Sequence, residues 1–147
     1  MEIKFTMKGT VQMVMSECVE KMIEEFPMKF DDTKGNTHPV GVDMFKEDLT
    51  RKSPPDWRET FHHFETRILW VCERPRCDPQ PMSTLSCVRV RAPGHNDWRK
   101  LEQLMKFMVA TRKDMLTSSM DDTLEPGNWT DASFGRMSTG AWTACGV

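Results

Sequence analysis

The sequence contains no tyrosine, so any aromatic stacking by this chain must use tryptophan or phenylalanine. It contains no apolar run of membrane-spanning length and no segment organised like a signal peptide. These absences predict an intracellular protein, in the cytoplasm or nucleus, with no membrane partner. A net charge of −2 excludes the strong overall basic field that many nucleic-acid-binding proteins carry. There is also no glycine-rich phosphate loop and no Gly-x-Ser-x-Gly nucleophile motif.

The five cysteines do not form a recognisable metal or disulfide pattern. Their number is odd, and no pair has the Cys-x-x-Cys or Cys/His spacing of a zinc site. We therefore expect free thiols. Cys72 and Cys77 bracket a predicted turn, where neighbouring arginines could lower a thiol pKa. A buried structural thiol is the more common alternative.

Three consecutive amphipathic helices are predicted between residues 56 and 117, and the rest of the chain is organised around them. Their apolar residues recur at three- and four-residue intervals, which is the spacing of one helix face. The first helix is predicted to end near residues 72–74, because Pro75 cannot continue a helix. The predicted apolar stripe of the third helix is Trp98, Leu101, Leu104, Met105 and Met108. The predicted N-caps are Asp56, Asp78 and Asn96. We expect the three helices to pack on one another through Phe64, Ile68, Leu85, Leu101 and Met105.

Shorter elements precede this helical segment. Residues 2–15 predict a β-hairpin that turns at Gly9, followed by a helix capped by Ser16. Residues 30–55 form a long connection that Phe45 and Leu49 could anchor on the core. A strand so close to the first residue would normally pair with a preceding strand, which is a first indication of a fragment.

After the helices, the sequence predicts three further strands, at 115–120, 128–134 and 141–145. The 147 residues, 38% of them hydrophobic, fit one domain or a pair of small subdomains. The predicted fold class is α+β, with an N-terminal β-hairpin plus helix, a central three-helix segment and a C-terminal partial β-sheet. The predicted division of the chain is 1–55, 56–117 and 118–147.

Six cations cluster along the central helices and are the candidate nucleic-acid-binding residues. Such a cluster is typical either of a solvated helix face or of a surface that contacts nucleic-acid phosphates, and spacing does not separate the two. The candidates are Arg74, Arg76, Arg89, Arg91, Arg99 and Lys100.

Asp131 is the candidate metal ligand and catalytic residue. It is the one carboxylate that interrupts a strand-like apolar run, from Trp129 to Phe134. A carboxylate on a central strand is costly unless it is paired or bound to a metal, and divalent-metal phosphoryl chemistry uses such a placement. The alternative is an edge-strand aspartate that faces solvent.

Several motifs, in one order, resemble the pol polyprotein of copia-type retrotransposons. Residues 1–6 are similar to the strands that follow the polymerase palm, and residues 35–39 to the Lys-Gly-x-Thr-Pro connection. Residues 76–78, Arg-Cys-Asp, resemble an altered Arg-Pro-Asp signature. Residues 97–112 are similar to the helix that carries acidic-Trp-Lys-x-Leu and Gly-Thr-Arg. Residues 129–140 resemble the Asp-Ala-Ser strand and Ser-x-Thr-Gly hairpin of the RNase H domain.

This resemblance implies a thumb and connection region of reverse transcriptase that runs into a truncated, RNase H-like sheet. It implies an RNA–DNA or DNA duplex as partner, held by the six central cations. It places Asp131 where the family has its first Mg²⁺-binding carboxylate. A Tyr-x-Asp-Asp polymerase motif cannot occur without tyrosine, and the later RNase H carboxylates are not present.

We therefore expect a retroelement fragment that supports primer–template nucleic acid in the intact protein and is catalytically inactive alone, binding no Mg²⁺ tightly. Two alternatives are open. The chain could be a small helical protein-interaction module without a nucleic-acid role. It could instead be a metal-dependent nuclease that uses Asp131.

Overall fold

The computed structural model describes residues 1–6, 9–31, 36–39, 41, 44–46, 55–119, 132–136 and 142–146, with the backbone alone at 55–56, 132–136 and 142–146. The described elements are mixed α and β, as predicted. In chain order they are β1 (Glu2–Phe5), β2 (Thr10–Val14), α1 (Ser16–Glu25), α2 (Pro55–Cys72), α3 (Gln80–Cys87), α4 (His95–Ala110), β3 (Met115–Ser119), β4 (Ala132–Arg136) and β5 (Trp142–Gly146).

The N-terminal hairpin is confirmed, and it is part of a three-stranded antiparallel sheet of order β1-β2-β3. Gly9 has a φ of 70°, a left-handed conformation that glycine adopts without strain, so the chain can turn tightly there. Ile3, Met13 and Leu116 lie opposite one another in register and therefore share one face of the sheet. β4 and β5 form a separate antiparallel pair.

The position of β3 in this sheet is not readable from the local sequence pattern. β3 was predicted as a strand, but its partner is β2, about a hundred residues earlier in the chain. The pairing connects the two ends of the helical segment. The predicted division at residue 118 passes through β3, and that division stays a prediction.

The hydrophobic core lies between α1, α2 and α4. The apolar stripe predicted for α4 is confirmed, because Trp98, Leu101, Leu104, Met105 and Met108 are all buried. The α2 stripe is also buried and includes Phe61, Phe64, Ile68 and Val71. Where the three helices meet, the rings pack on one another: Trp98 stacks on Trp57 at a centroid distance of 5.1 Å, and Phe26 contacts Phe64 at 4.8 Å.

The predicted apolar face of α3 is wrong at Leu85, which is only half-buried. The buried residues of α3 are Met82, Ser83 and Ser86. The face of α3 that packs on α2 meets a buried carboxyl group, Glu65, to which Ser83 donates a hydrogen bond. A buried polar group needs hydrogen-bond partners, so serine is favoured over an apolar residue at this contact.

None of the predicted N-caps of α1, α2 and α3 is correct. α1 begins at Ser16 itself, after Met15 and without a side-chain cap. α2 begins at Pro55, so Asp56 is already helical. At α3 the cap position is Pro79, and the carboxylate of Asp78 instead accepts two hydrogen bonds from an arginine.

The N-terminus of α4 is held by an acidic residue inside its first turn. The cap position is Gly94, whose backbone N–H donates to Asp97 Oδ2 at 2.8 Å. The predicted cap, Asn96, donates instead to the carbonyl of Lys46 at 2.8 Å. A polar residue near a helix start can satisfy a distant backbone group, and local sequence does not reveal that choice.

The connection before α2 contacts the core through a different residue from the one predicted. Phe45 is 73% exposed, whereas Met44 packs against the core. Leu49, the other predicted anchor, lies outside the described residues. No helix in the described part of the chain combines the length and apolar character needed to cross a membrane.

Candidate nucleic-acid interface

The six predicted cations occupy two different environments. Three of them are held by contacts with other residues of the protein. The other three lie at the beginning of α4 or in the turn that leads into it. The first group is Arg74, Arg76 and Arg89, and the second is Arg91, Arg99 and Lys100.

Arg76 is a structural residue with only 2% of its surface exposed. Its guanidinium donates to both carboxylate oxygens of Asp78, at 2.9 and 2.7 Å, and to Thr111 at its carbonyl (2.9 Å) and hydroxyl (2.7 Å). A bidentate, charge-assisted pair of this kind fixes the guanidinium plane. Arg76 thereby ties the α2–α3 turn to the end of α4, and in this position it cannot contact a phosphate.

Arg74 and Arg89 are also held within the molecule. The Arg74 guanidinium lies 3.8 Å from the Trp70 ring centroid and donates to the Trp70 carbonyl at 2.6 Å. Arg89 Nε lies 3.2 Å from Oδ2 of the buried Asp97. Asp97 therefore links the α3–α4 turn to α4 by accepting from both Arg89 and Gly94.

Three cations on α4 or in the turn before it are available to a ligand. Arg91 and Arg99 are exposed and Lys106 is half-buried, and none of the three pairs with another residue in the described ranges. Arg99 and Lys106 are seven residues apart, two helical turns, and so lie on the same face at a separation of about 10 Å. The sequence prediction missed Lys106, although its spacing from Arg99 would have revealed it.

Lys100 helps to hold the preceding connection against α4. Lys100 Nζ and Asn96 Nδ2 both donate to the carbonyl of Lys46, each at 2.8 Å. Asn36 Nδ2 donates to the carbonyl of Gln103 at 3.3 Å. The connection is thus hydrogen-bonded to α4 near residue 36 and again at residue 46.

A cavity of about 310 Å³ lies between this connection and α4. We call it the α4 cavity. Its polar lining comes mainly from α4, while Met44 and Met82 contribute apolar surface. The described residues that line it are Asn36, Pro39, Gly41, Met44, Met82, Asn96, Arg99, Lys100, Glu102, Gln103 and Lys106.

Glu65 is a buried acid that the sequence analysis missed. It is fully buried; its Oε2 accepts from Ser83 Oγ at 3.4 Å, and its Oε1 has no hydrogen-bond partner among the described residues. Burial raises its pKa to about 8, and the charge of Asp97 adds to the rise, while the Ser86 and Ser83 hydroxyls oppose it. Glu65 is therefore largely protonated at neutral pH. Glu65 is four residues after Phe61 and so lies within the apolar stripe of α2. This spacing could have predicted its burial.

The predicted metal ligand Asp131 lies outside the described residues, as do Ser138, Thr139 and Gly140. The predicted strand around Asp131 is described only from Ala132, where β4 begins. In the described part of the chain, no three His, Cys, Asp or Glu side chains are grouped so that they could hold a metal ion. The expectations about Asp131 and Mg²⁺ therefore stay predictions.

Cys72 and Cys77 differ in environment although both lie near the α2–α3 turn. Cys72 is buried; burial, followed by the charges of Asp78 and Glu65, raises its thiol pKa to about 12. Burial also raises the thiol pKa of the half-buried Cys87. Cys77 is exposed. The structure thus favours the structural alternative for Cys72.

We expect Cys77 to react with a thiol reagent much faster than Cys72. At pH 8 a thiol of pKa about 12 is ionised in only about one part in 10⁴, and burial also blocks access. The measurement is the time course of 5,5′-dithiobis(2-nitrobenzoate) reaction with the folded chain. Cys77→Ser should remove a fast phase that Cys72→Ser leaves intact; the opposite result would contradict the burial of Cys72.

No known protein family, curated protein or solved structure matches this chain. The resemblance to copia-type pol proteins therefore rests on the sequence motifs.

Proposed function

We propose that this chain is the connection region of a copia-type reverse transcriptase, leading into an RNase H-like sheet, and that it supports a primer–template duplex. In this role it binds the phosphates of an RNA–DNA or DNA duplex and does not read base sequence. The observation that carries the proposal is the pair of available cations on one face of α4, Arg99 and Lys106, with Arg91 exposed in the turn before the helix.

Two further observations support the assignment to this family. Arg76 and Asp78, from the altered Arg-Pro-Asp signature, bond directly to each other, and Arg76 bonds to Thr111 of the Gly-Thr-Arg-like motif. Arg76 and Thr111 are 35 residues apart in sequence, so the two motifs act as one structural unit. The antiparallel pair β4–β5 supports an RNase H-like beginning after the helices.

The chemistry of these side chains favours contact with the nucleic-acid backbone. Arginine and lysine that contact phosphates position a protein on a duplex, whereas sequence is read by groups that reach base edges. Each phosphate that a cation neutralises releases condensed counterions, so binding weakens steeply as salt is added. Because the net charge of the whole chain is negative, binding of a duplex has to come from the local cations on α4.

Replacing Arg91, Arg99 and Lys106 together by alanine should weaken binding to an RNA–DNA hybrid and flatten its salt dependence. Each lost phosphate contact lowers the slope of log K against log salt by about 0.9 on B-form DNA. The measurement is fluorescence anisotropy with hybrids of two unrelated sequences over a series of KCl concentrations. Wild type should bind both sequences equally, with the slope lowered by roughly 2–3 in the triple variant.

Lys21→Ala, which removes an exposed cation from α1, is the matched control and should leave the slope unchanged. Failure of wild type to bind either hybrid at low salt would overturn the proposal and favour the alternative of a protein-interaction module. Mg²⁺-dependent cleavage of the hybrid that is lost in Asp131→Asn would instead support the nuclease.

A further inference from the structure

We propose that the α4 cavity binds a small organic phosphate, a phosphate monoester joined to an apolar or heterocyclic body. This site shares Arg99 and Lys106 with the proposed duplex surface, but it differs from that surface in kind, because it is a concave pocket for a small molecule. The inference does not depend on duplex binding.

The charges lining the cavity favour an anion. Among the described lining residues, Arg99, Lys100 and Lys106 contribute three positive charges and Glu102 one negative charge, so this part of the lining is cationic. Arg99 and Lys106 have no partner among the described residues, and their charges are available to a ligand. A guanidinium and an ammonium group on the same wall suit the several acceptor oxygens of a phosphate dianion.

The walls of the cavity are fixed by hydrogen bonds within the protein. The Asn36–Gln103 and Asn96–Lys46 bonds hold residues 36 and 46 of the connection on α4. Gly41 itself lies close to the helix, because a Cβ added there would come within 2.9 Å of the Gln103 amide. A wall that is already held in place costs little ordering entropy when a ligand enters.

The size and the remaining lining indicate an organic phosphate and not a bare ion. A volume of about 310 Å³ is at the lower end of the range that holds small-molecule ligands. Met44 and Met82 supply apolar, adaptable surface that inorganic phosphate would leave unmatched. A nucleoside monophosphate combines a dianion with a flat apolar body and is a suitable probe.

The test is a calorimetric titration of the full chain, without nucleic acid, using AMP, inorganic phosphate and adenosine. We expect AMP to bind, phosphate to bind at least severalfold more weakly, and adenosine not to bind detectably. Adenosine binding as tightly as AMP would overturn the proposal that the cavity recognises an anion. Inorganic phosphate binding as tightly as AMP would overturn the proposal that the ligand has an organic body.

Two substitutions at adjacent positions change the charge of the cavity wall in opposite directions, with little change in side-chain size. Gln103→Glu adds a negative charge to the wall and should weaken AMP binding roughly tenfold or more, whereas Glu102→Gln removes one and should tighten it severalfold. Lys21→Ala should leave the affinity unchanged. Circular-dichroism melts would verify that each variant is folded. Equal AMP affinity in wild type, Gln103→Glu and Glu102→Gln, or no AMP binding by wild type, would overturn the proposal whether or not the chain binds duplex.

Discussion

Replacing Leu101 by alanine is expected to lower the free energy of unfolding by about 2–5 kcal/mol. Leu101 is fully buried on α4, among the side chains that fill the space between α1, α2 and α4. Truncation removes apolar contacts and leaves a cavity that packed neighbours can refill only in part. For a domain of this size, such a loss is a large fraction of the total stability. The measurement is urea unfolding followed by circular dichroism.

Leu116→Ala is the matched control, because the same atoms are removed from an exposed position on β3. We expect it to change the unfolding free energy by less than about 1 kcal/mol. Equal effects of the two substitutions would show that the α4 stripe is not the core of this protein.

Replacing Glu65 by glutamine is expected to stabilise the protein at alkaline pH. In the folded state the pKa of Glu65 is raised to about 8, whereas in the unfolded chain it returns to about 4.5. Between these values the folded state holds a proton that the unfolded state releases, so wild-type stability falls as the pH rises. The loss is complete above pH 8 and is at most roughly 5 kcal/mol, at about 1.4 kcal/mol per pKa unit. Glutamine has nearly the same shape and does not ionise.

The measurement is a series of unfolding curves for wild type and Glu65→Gln between pH 4 and pH 9. The two proteins should be similar near pH 4 and diverge as the pH rises, with the variant more stable at pH 9. Glu59→Gln, at an exposed position on the same helix, should follow wild type throughout. A wild-type protein as stable as Glu65→Gln at pH 9 would mean that Glu65 is not held in an apolar environment.

The elements that sequence predicts well here are those specified by neighbouring residues. The α4 stripe is correct at every position from Trp98 to Met108, because helical periodicity places those side chains on one face whatever their partner is. The turn at Gly9 is correct because a left-handed residue there favours glycine. The end of α2 at Cys72 agrees with Pro75, which cannot continue a helix.

The bonding partners of the cap residues and the burial of the cations are less readable from sequence, because both depend on distant residues. Asp78 and Asn96 are good capping residues by type, yet Arg76 binds the first and the Lys46 carbonyl receives a hydrogen bond from the second. Six cations near one another in sequence suggest a single basic surface. Burial removes Arg76 from that surface, and Asp97 pairs with Arg89.

The sequence by itself determined the α+β class, the hairpin at Gly9 and the apolar faces of α2 and α4, since each follows from spacing within one segment. The tertiary structure alone decided that β3 pairs with β2, that Glu65 is buried against α3, and that Asn36, Gly41 and Met44 line a cavity together with cations of α4. Each of these depends on contacts between residues far apart in the chain. A local pattern determines which face of an element is apolar, but which groups meet across the fold is set by packing and by the need of buried polar groups for partners.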